Sequence, residues 1–381
     1  MSLPREEELG FFGKLSWKEA LALVGPRRAG KSTLALRLLD AWRSKGGVGE
    51  YVDFERLGSP SSLDKLAALV GRVPRGGLLV LDEVQALAGW ERLVREEVEY
   101  ARHHVVVTGS SASLLSKEIG SILAGRAIPQ QVLPLSFRNA RAWGLDSFDQ
   151  YVLVGGYPEC VLRPNDAATL HRLYFDLAVL RDVAARKGIR EVKPLSDLAV
   201  LLLSESGKVI SSKKTADSLG ISQPTLRSFV DGLVDAFLLL RVPPLLRSPR
   251  ERLVADTKHY AWDTGLQQSV SLSESQDFGR RLENLVAIEL ARRGYDLAYL
   301  DGKNECDFIA SAPGRPKLAV QVCSADVLPA RELDGLSAGM KVAERGLLLT
   351  LHRTDVKLPR HAELKTIQDW LLSGPRVLDS I

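Results

Sequence analysis

The chain has 381 residues, 45% of them hydrophobic and 26% charged, with a formal net charge of +4; that length suits two to four domains of ~100 to 200 residues, and the composition excludes wholesale disorder. No apolar run approaches the ~18 residues of a membrane span, the acidic, proline-broken start MSLPREEELG lacks a secretory pattern, and Cys160, Cys306 and Cys323 cannot staple so long a chain. A cytoplasmic protein without membrane contact is expected, and its mildly basic charge permits a nucleic-acid partner without demanding one.

Up to residue 136, short apolar runs alternate with helical stretches: ALALVG from Ala20, YVDF from Tyr51, LLVLDE from Leu78 and VVVTGS from Val105. This alternation predicts parallel β-α-β units. Between the first run and the helix-forming LALRLLDAW stands GPRRAGKST, which satisfies G-x-x-x-x-G-K-[ST]. Gly25, Pro26, Arg27, Arg28, Ala29, Gly30, Lys31, Ser32 and Thr33 are therefore candidates to cradle phosphates. Successive backbone N–H groups and the helix dipole would face the anion. Lys31 is expected on the β- and γ-phosphates, Ser32 on Mg²⁺, and Thr33 beside it as a further donor. LLVLDEVQ then delivers Asp82 and Glu83 to the carboxyl end of a buried strand, Asp82 to hold Mg²⁺ through water and Glu83 to act as general base. The strand VVVTGS would bring Ser110 or Ser111 to the attacking water or the γ-phosphate, although a serine there also serves as a helix cap. Arg126, in ILAGR, is a candidate arginine finger, with a solvated loop residue as the bland alternative.

From Phe137 to about Arg190 the strand signals stop, and GGYP at Gly155 punctuates a helical pattern ending in the amphipathic LHRLYFDLAVLRDVAAR. Two short helical patterns joined at Leu219-Gly220-Ile221-Ser222 and followed by an extended run predict a helix-turn-helix with a β-wing. Lys213 and Lys214 on its first helix could meet phosphates, and Gln223, Thr225 and Arg227 on its second could reach base edges. Eight Lys or Arg face six Asp or Glu between residues 191 and 250, a surplus of two that equally suits protein contact. Arg247, Arg250 and Arg252 add a basic cluster after the wing.

Gly25 to Ser32, Asp82-Glu83, TGSSASLLS, LAGR, LPLSF, VGGYPE and WDTGL occur here in the order seen in a widespread archaeal and bacterial family of AAA+ type P-loop ATPases related to STAND ATPases, which the chain resembles. The resemblance implies an α/β fold: a parallel-sheet P-loop ATPase core (1–136), a helical lid (137–192), a winged helix-turn-helix (193–250) and a restriction-endonuclease-like α/β domain (251–381). It also implies that Gly156 and Pro158 lie near the adenine or a hinge. Glu283, Glu305 and Asp307 match the acidic positions of that nuclease core, but Gln321 and Cys323 stand where a carboxylate and a lysine are usual. A catalytically degenerate scaffold is therefore expected. Strand parity points Cys306 and Cys323 to opposite faces, against a disulfide between them. The functional expectation is an ATP/ADP- and Mg²⁺-binding ATPase associated with DNA, with a nucleotide switch that engages protein partners as the alternative and a homo-oligomer as one route to activity.

Overall fold

Consecutive apolar residues, buried on both faces, build the three central strands of the first sheet, as a parallel sheet covered by helices requires. In the computed structural model, which describes residues 3–6, 8–55, 70–112, 125–245, 248, 251, 255–272, 278–302 and 304–374, the chain divides into two units. One comprises Met1–Pro134 with Asp235–Phe237, the other Leu135–Val234 with Leu238–Ile381.

In the first unit, β1 (Ala20–Val24), β2 (Gly49–Asp53), β3 (Leu78–Asp82), β4 (His104–Gly109) and β5 (Ala127–Gln131) form a parallel sheet in the order β2-β3-β4-β1-β5. Every residue of β1 and β3 is buried. Helix α1 (Glu8–Lys14) leads into the sheet, and α2 (Lys31–Ser44) turns Leu34, Ala35, Leu38 and Leu39 onto it. That spacing is one face of a 3.6-residue helix. Leu21, Leu23, Leu78, Val80 and Val106 supply the sheet's side of this core. Register carries the functional consequence: Val24 pairs with Gly109, and Leu81 with Val107. The carboxyl ends of β1, β3 and β4 thus reach one edge together, with β4 between the other two. Strand β5 escaped the sequence reading because AIPQQ shows neither an apolar run nor clean alternation, and it carries Pro129. An edge strand tolerates proline, since one side of its ladder is free.

The second unit starts with helices: α4 (Phe137–Ala142), α5 (Phe148–Val154), α6 (Pro158–Leu162) and α7 (Ala167–Leu177), α3 (Trp90–Glu99) belonging to the first unit. The predicted amphipathic helix continues from α7 as π-helix over Ala178–Ala185. Helix α8 (Val192–Ser204) follows, then α9 (Ser212–Leu219) and α10 (Gln223–Asp235). Between these two, Gly220 at φ 66° supplies the left-handed C-terminal turn of α9. Ser222 accepts from the Thr225 N–H at 3.2 Å to start α10. Strands β6 (Leu239–Val242) and β7 (Lys258–Ala261) pair antiparallel, so this small sheet joins residues on both sides of the expected boundary at 250. Next come α11 (Thr264–Val270) and α12 (Phe278–Arg292). They are followed by a mixed sheet ordered β12-β11-β10-β9-β8, made of β8 (Asp296–Leu300), β9 (Cys306–Ser311), β10 (Leu318–Cys323), β11 (Arg345–Thr350) and β12 (Ala362–Thr366). α13 (Ala330–Gly339) and α14 (Ile367–Leu372) complete the described elements. Among the described residues no helix is long and apolar enough to cross a membrane. Arg247, Arg250, Arg252 and residues 113–124 lie outside the described set.

Candidate functional site

The loop between β1 and α2 owes its path to two glycines with different duties. A Cβ on Gly25 would sit 2.0 Å from the Val132 carbonyl oxygen, so this position needs a bare backbone for close approach. Gly30 caps α2 at φ 92°, a left-handed conformation that glycine adopts without steric cost. Arg28 also takes positive φ, at 66°. From outside the loop, the buried Arg5 donates to the Leu133 carbonyl at 2.8 Å and to the Ala29 carbonyl. Pro26 and Ala29 are buried, Arg28 and Thr33 exposed, and Arg27 pairs with Glu55 at 3.0 Å.

Lys31 opens α2 and is only 3% exposed. Its Nζ donates to the Gly25 and Pro26 carbonyls, 3.0 Å each, and stands 3.9 Å from Glu83 Oε1. Ser32 Oγ donates to Asp82 Oδ1 at 3.1 Å, so the loop and the acidic strand meet as the sequence predicts. Two further hydroxyls converge on Asp82: Tyr51 at 2.5 Å, and Thr108. Neither was foreseen. Tyr51 stands on β2 and Thr108 on β4, the two neighbours of β3, and only the strand order makes them neighbours of Asp82. Serine oxygen and carboxylate are hard oxygen donors, which fits Mg²⁺, an ion that draws the rest of its octahedron from water and phosphate. Ser32 and Asp82 are the residues that would hold it.

Glu83 follows the strand with φ 54° and ψ 50°, a left-handed conformation costing a non-glycine residue roughly 1 to 2 kcal/mol. Its N–H is held by Thr108 Oγ1 at 3.0 Å, which fixes the turn. Ser110 is fully buried at the tip of β4, and its hydroxyl accepts from Gln85 Nε2 at 3.2 Å. Gln85 thus stands between Ser110 and Glu83, another contact that the linear sequence does not show.

Arg126 lies at the other edge of the sheet. Its carbonyl accepts from the Ala20 N–H at the start of β1, and its guanidinium meets Glu99 at 3.4 Å. Five residues of extended strand, about 16 Å, separate that edge from the loop at Gly25.

In the second unit, Gly156 is locked by its own surroundings. Its N–H donates to Asp263 Oδ2 at 2.7 Å, and a Cβ there would lie 2.2 Å from the Leu135 carbonyl oxygen. Asp263 also caps α11 through the Leu266 N–H, and burial raises its carboxyl above the usual range. The motif pair GGYP and WDTGL is thus one packing unit. Pro158 opens α6 at a position where a missing N–H costs nothing. Lys213, Lys214, Gln223 and Arg227 are exposed on α9 and α10. Thr225 is half-buried, and its hydroxyl is engaged by Ser222 at 2.8 Å. Asp231, which the charge count sets against a nucleic acid, pairs with Arg241 of β6 at 2.6 Å.

The C-terminal carboxylates gather around a cavity of about 480 Å³ that also exposes Gln321, Cys323 and Arg331. Glu283 comes from α12, Asp307 from β9, and Glu305 immediately precedes that strand. Asp307 accepts from the Val322 N–H at 2.8 Å, and Gln321 donates to Glu332 at 2.8 Å. Lys258, unforeseen in sequence, enters from β7 with its ammonium 2.6 Å from Glu305 and 3.6 Å from Glu283. Burial pulls this amine down, but the two carboxylates outweigh it and hold it above its usual value. Burial pushes Glu283 and Asp307 upward. All three cysteines are free and buried.

Residues 18–140 match the AAA domain family, and residues 145–277 match a domain of unknown function (DUF8612). Most of the first unit is thus similar to AAA domains. An uncharacterized protein of Haemophilus influenzae is 29% identical over 325 residues, covering 76% of this chain and 78% of its own. One from Methanocaldococcus jannaschii is 29% identical over 342 residues, covering 81% and 76%. Among solved structures, AMPPCP-bound DnaA from Aquifex aeolicus is similar with a TM-score of 0.33 at 14% identity, covering 61% of this chain and 89% of that one.

Proposed function

We propose that this chain binds ATP with Mg²⁺ at the Gly25–Thr33 loop and hydrolyses it, and that it associates with DNA through α9 and α10. The observation that carries the first part is the convergence of Lys31, Ser32, Asp82 and Glu83 at one edge of the sheet, tied by the Ser32 to Asp82 hydrogen bond and the Lys31 to Glu83 approach. Lys31 directs its donors to loop carbonyls, groups that phosphate oxygens outcompete as acceptors because they carry charge. The backbone N–H groups opening α2 and the helix dipole complete the anion site. Bound Mg²⁺ would neutralise charge on the phosphate oxygens. Glu83 takes the proton of the attacking water, while Asp82 and Ser32 fix the cation side. Lys31→Ala is expected to abolish binding of a fluorescent ATP analogue, and Glu83→Gln to keep binding and lose phosphate release. Normal turnover in Glu83→Gln removes its role as base.

The DNA reading is supported by the exposure of Lys213, Lys214, Gln223 and Arg227 and by the neutralisation of Asp231. The helices α9 and α10 with the β6–β7 pair are the elements of a winged helix. The expected four-part division, with a helical lid at 137–192, stays part of this proposal. Gly156 and Pro158 enter it as residues near the adenine or a hinge, as the resemblance implies. The carboxylate cavity is read as a nuclease-like scaffold without catalysis: Cys323 brings no ammonium beside it, and Lys258, the ammonium that enters among the described residues, is engaged in neutralising Glu305 and Glu283. Arg126 is proposed as a finger for a neighbouring copy, because its place at the far edge of the sheet separates it from its own loop.

A further inference from the structure

Gln85 follows the acidic pair by two residues, in the short 3-10 turn Val84–Ala86. Its side-chain nitrogen donates to Glu83 Oε2 and, at 3.2 Å, to Ser110 Oγ. A carboxylate only accepts, so the amide cannot be turned over: its nitrogen is the atom on Glu83, and its carbonyl oxygen is the atom left for another donor. That carbonyl oxygen, Oε1, is buried and meets no donor among the described residues. A buried acceptor left in this state costs about 1 to 3 kcal/mol and needs a reason.

We infer that Gln85 positions the hydrolytic water: its amide nitrogen fixes the Glu83 carboxylate, and its carbonyl accepts one hydrogen of the water whose other hydrogen goes to Glu83. This inference rests on the ATPase reading above. A water held by two acceptors has its lone pair directed elsewhere, towards the γ-phosphorus of ATP. As its oxygen bonds to phosphorus, the bond to the β,γ-bridging oxygen breaks and that electron pair leaves with ADP. The water's proton passes to Glu83, which later returns it to the inorganic phosphate. Among the described groups, the charges facing Glu83 are Lys31 at 3.9 Å, from α2, and the adjoining Asp82. From β4, only the uncharged Thr108 and Ser110 are involved.

The test uses the full chain with Gln85→Ala and Gln85→Glu, and reads binding of a fluorescent ATP analogue, kcat and KM of phosphate release, and melting temperature. Gln85→Ala should lower kcat about 10- to 100-fold, within the range of general-base effects, with KM and analogue affinity within about two-fold of wild type. Gln85→Glu keeps the side chain's volume but removes the amide that donates to Glu83 and Ser110, so kcat should fall while KM and analogue affinity are kept. A merely structural Gln85 moves melting temperature and leaves kcat in place. Wild-type kcat in Gln85→Ala or in Gln85→Glu overturns the inference while the ATPase reading stands. A wild-type protein that neither binds the analogue nor releases phosphate overturns both. Should Gln85→Ala melt early, kcat against KM in Gln85→Glu decides alone.

Discussion

His259, on β7, shows how one buried side chain sets an acid limit on the fold. It is 6% exposed, and burial first, then nearby Arg241, lowers its pKa to about 4. Above the unfolded value of ~6.5 the imidazole is neutral in both states and makes no difference. As pH falls from there towards 4, the unfolded chain takes up a proton that the folded chain refuses, so stability is lost in that window by roughly 3 kcal/mol. The urea midpoint should therefore drop between pH 7 and pH 4.5, and His259→Gln should flatten that drop; an equally steep loss in the variant would rule His259 out. At this scale the sequence was legible wherever chemistry is written in consecutive residues. Lys31, Ser32, Asp82 and Glu83 stand together as their motifs predict. Tyr51, Thr108, Gln85 and Lys258 were illegible, because their partners are chosen by strand order, by a left-handed turn at Glu83 and by a strand 25 residues before Glu283.

Elements built on runs of apolar residues were legible too, and those shaped by their neighbours were not. β1, β3 and β4 lie where LALV, LLVLD and VVVTG predict them, whereas β5 gave no pattern and the predicted helix through Leu177 widens into a π stretch. There Gly232 of α10 comes so close to Val183 that an added Cβ would lie 2.6 Å from its Cγ1. For α9 and α10 the consequence is electrostatic. With Asp231 paired to Arg241, the exposed cations Lys213, Lys214 and Arg227 are not opposed by that neighbour's charge. If all three meet phosphates, replacing them together with Ala should lower the slope of log affinity against log salt by about 2 to 3, at ~0.9 per phosphate on duplex DNA. A salt titration by fluorescence anisotropy checks this. A wild type that binds no duplex at low salt, or a triple variant with an unchanged slope, removes these helices from the interface.

For the whole molecule, the open question of solitary or collective action turns on Arg126. Among the described residues its half-exposed guanidinium meets a half-exposed Glu99, a pairing worth ~1 kcal/mol or less, so it is readily released to a stronger anion. A finger working in trans makes specific ATPase activity rise with protein concentration, and Arg126→Ala should cost ~10³ to 10⁵ in rate with nucleotide affinity kept. Activity flat across dilution, or a variant at wild-type rate, would leave a monomeric switch.

The strand β7 bears on what can be inherited separately. On one edge it pairs with β6; along its length Tyr260 bonds to Glu283 at 2.6 Å, the Ala261 N–H to Asn284 at 2.7 Å, and Lys258 to Glu305. A gene fragment beginning after Ala261 would strand Asn284 in the interior and leave Glu283 without its cation, while one ending before Lys258 would leave β6 with a bare ladder. Recombination that shuffles the carboxylate-bearing sheet among proteins must therefore carry this hairpin along, making the natural unit of exchange begin at β6, upstream of the boundary expected at 250.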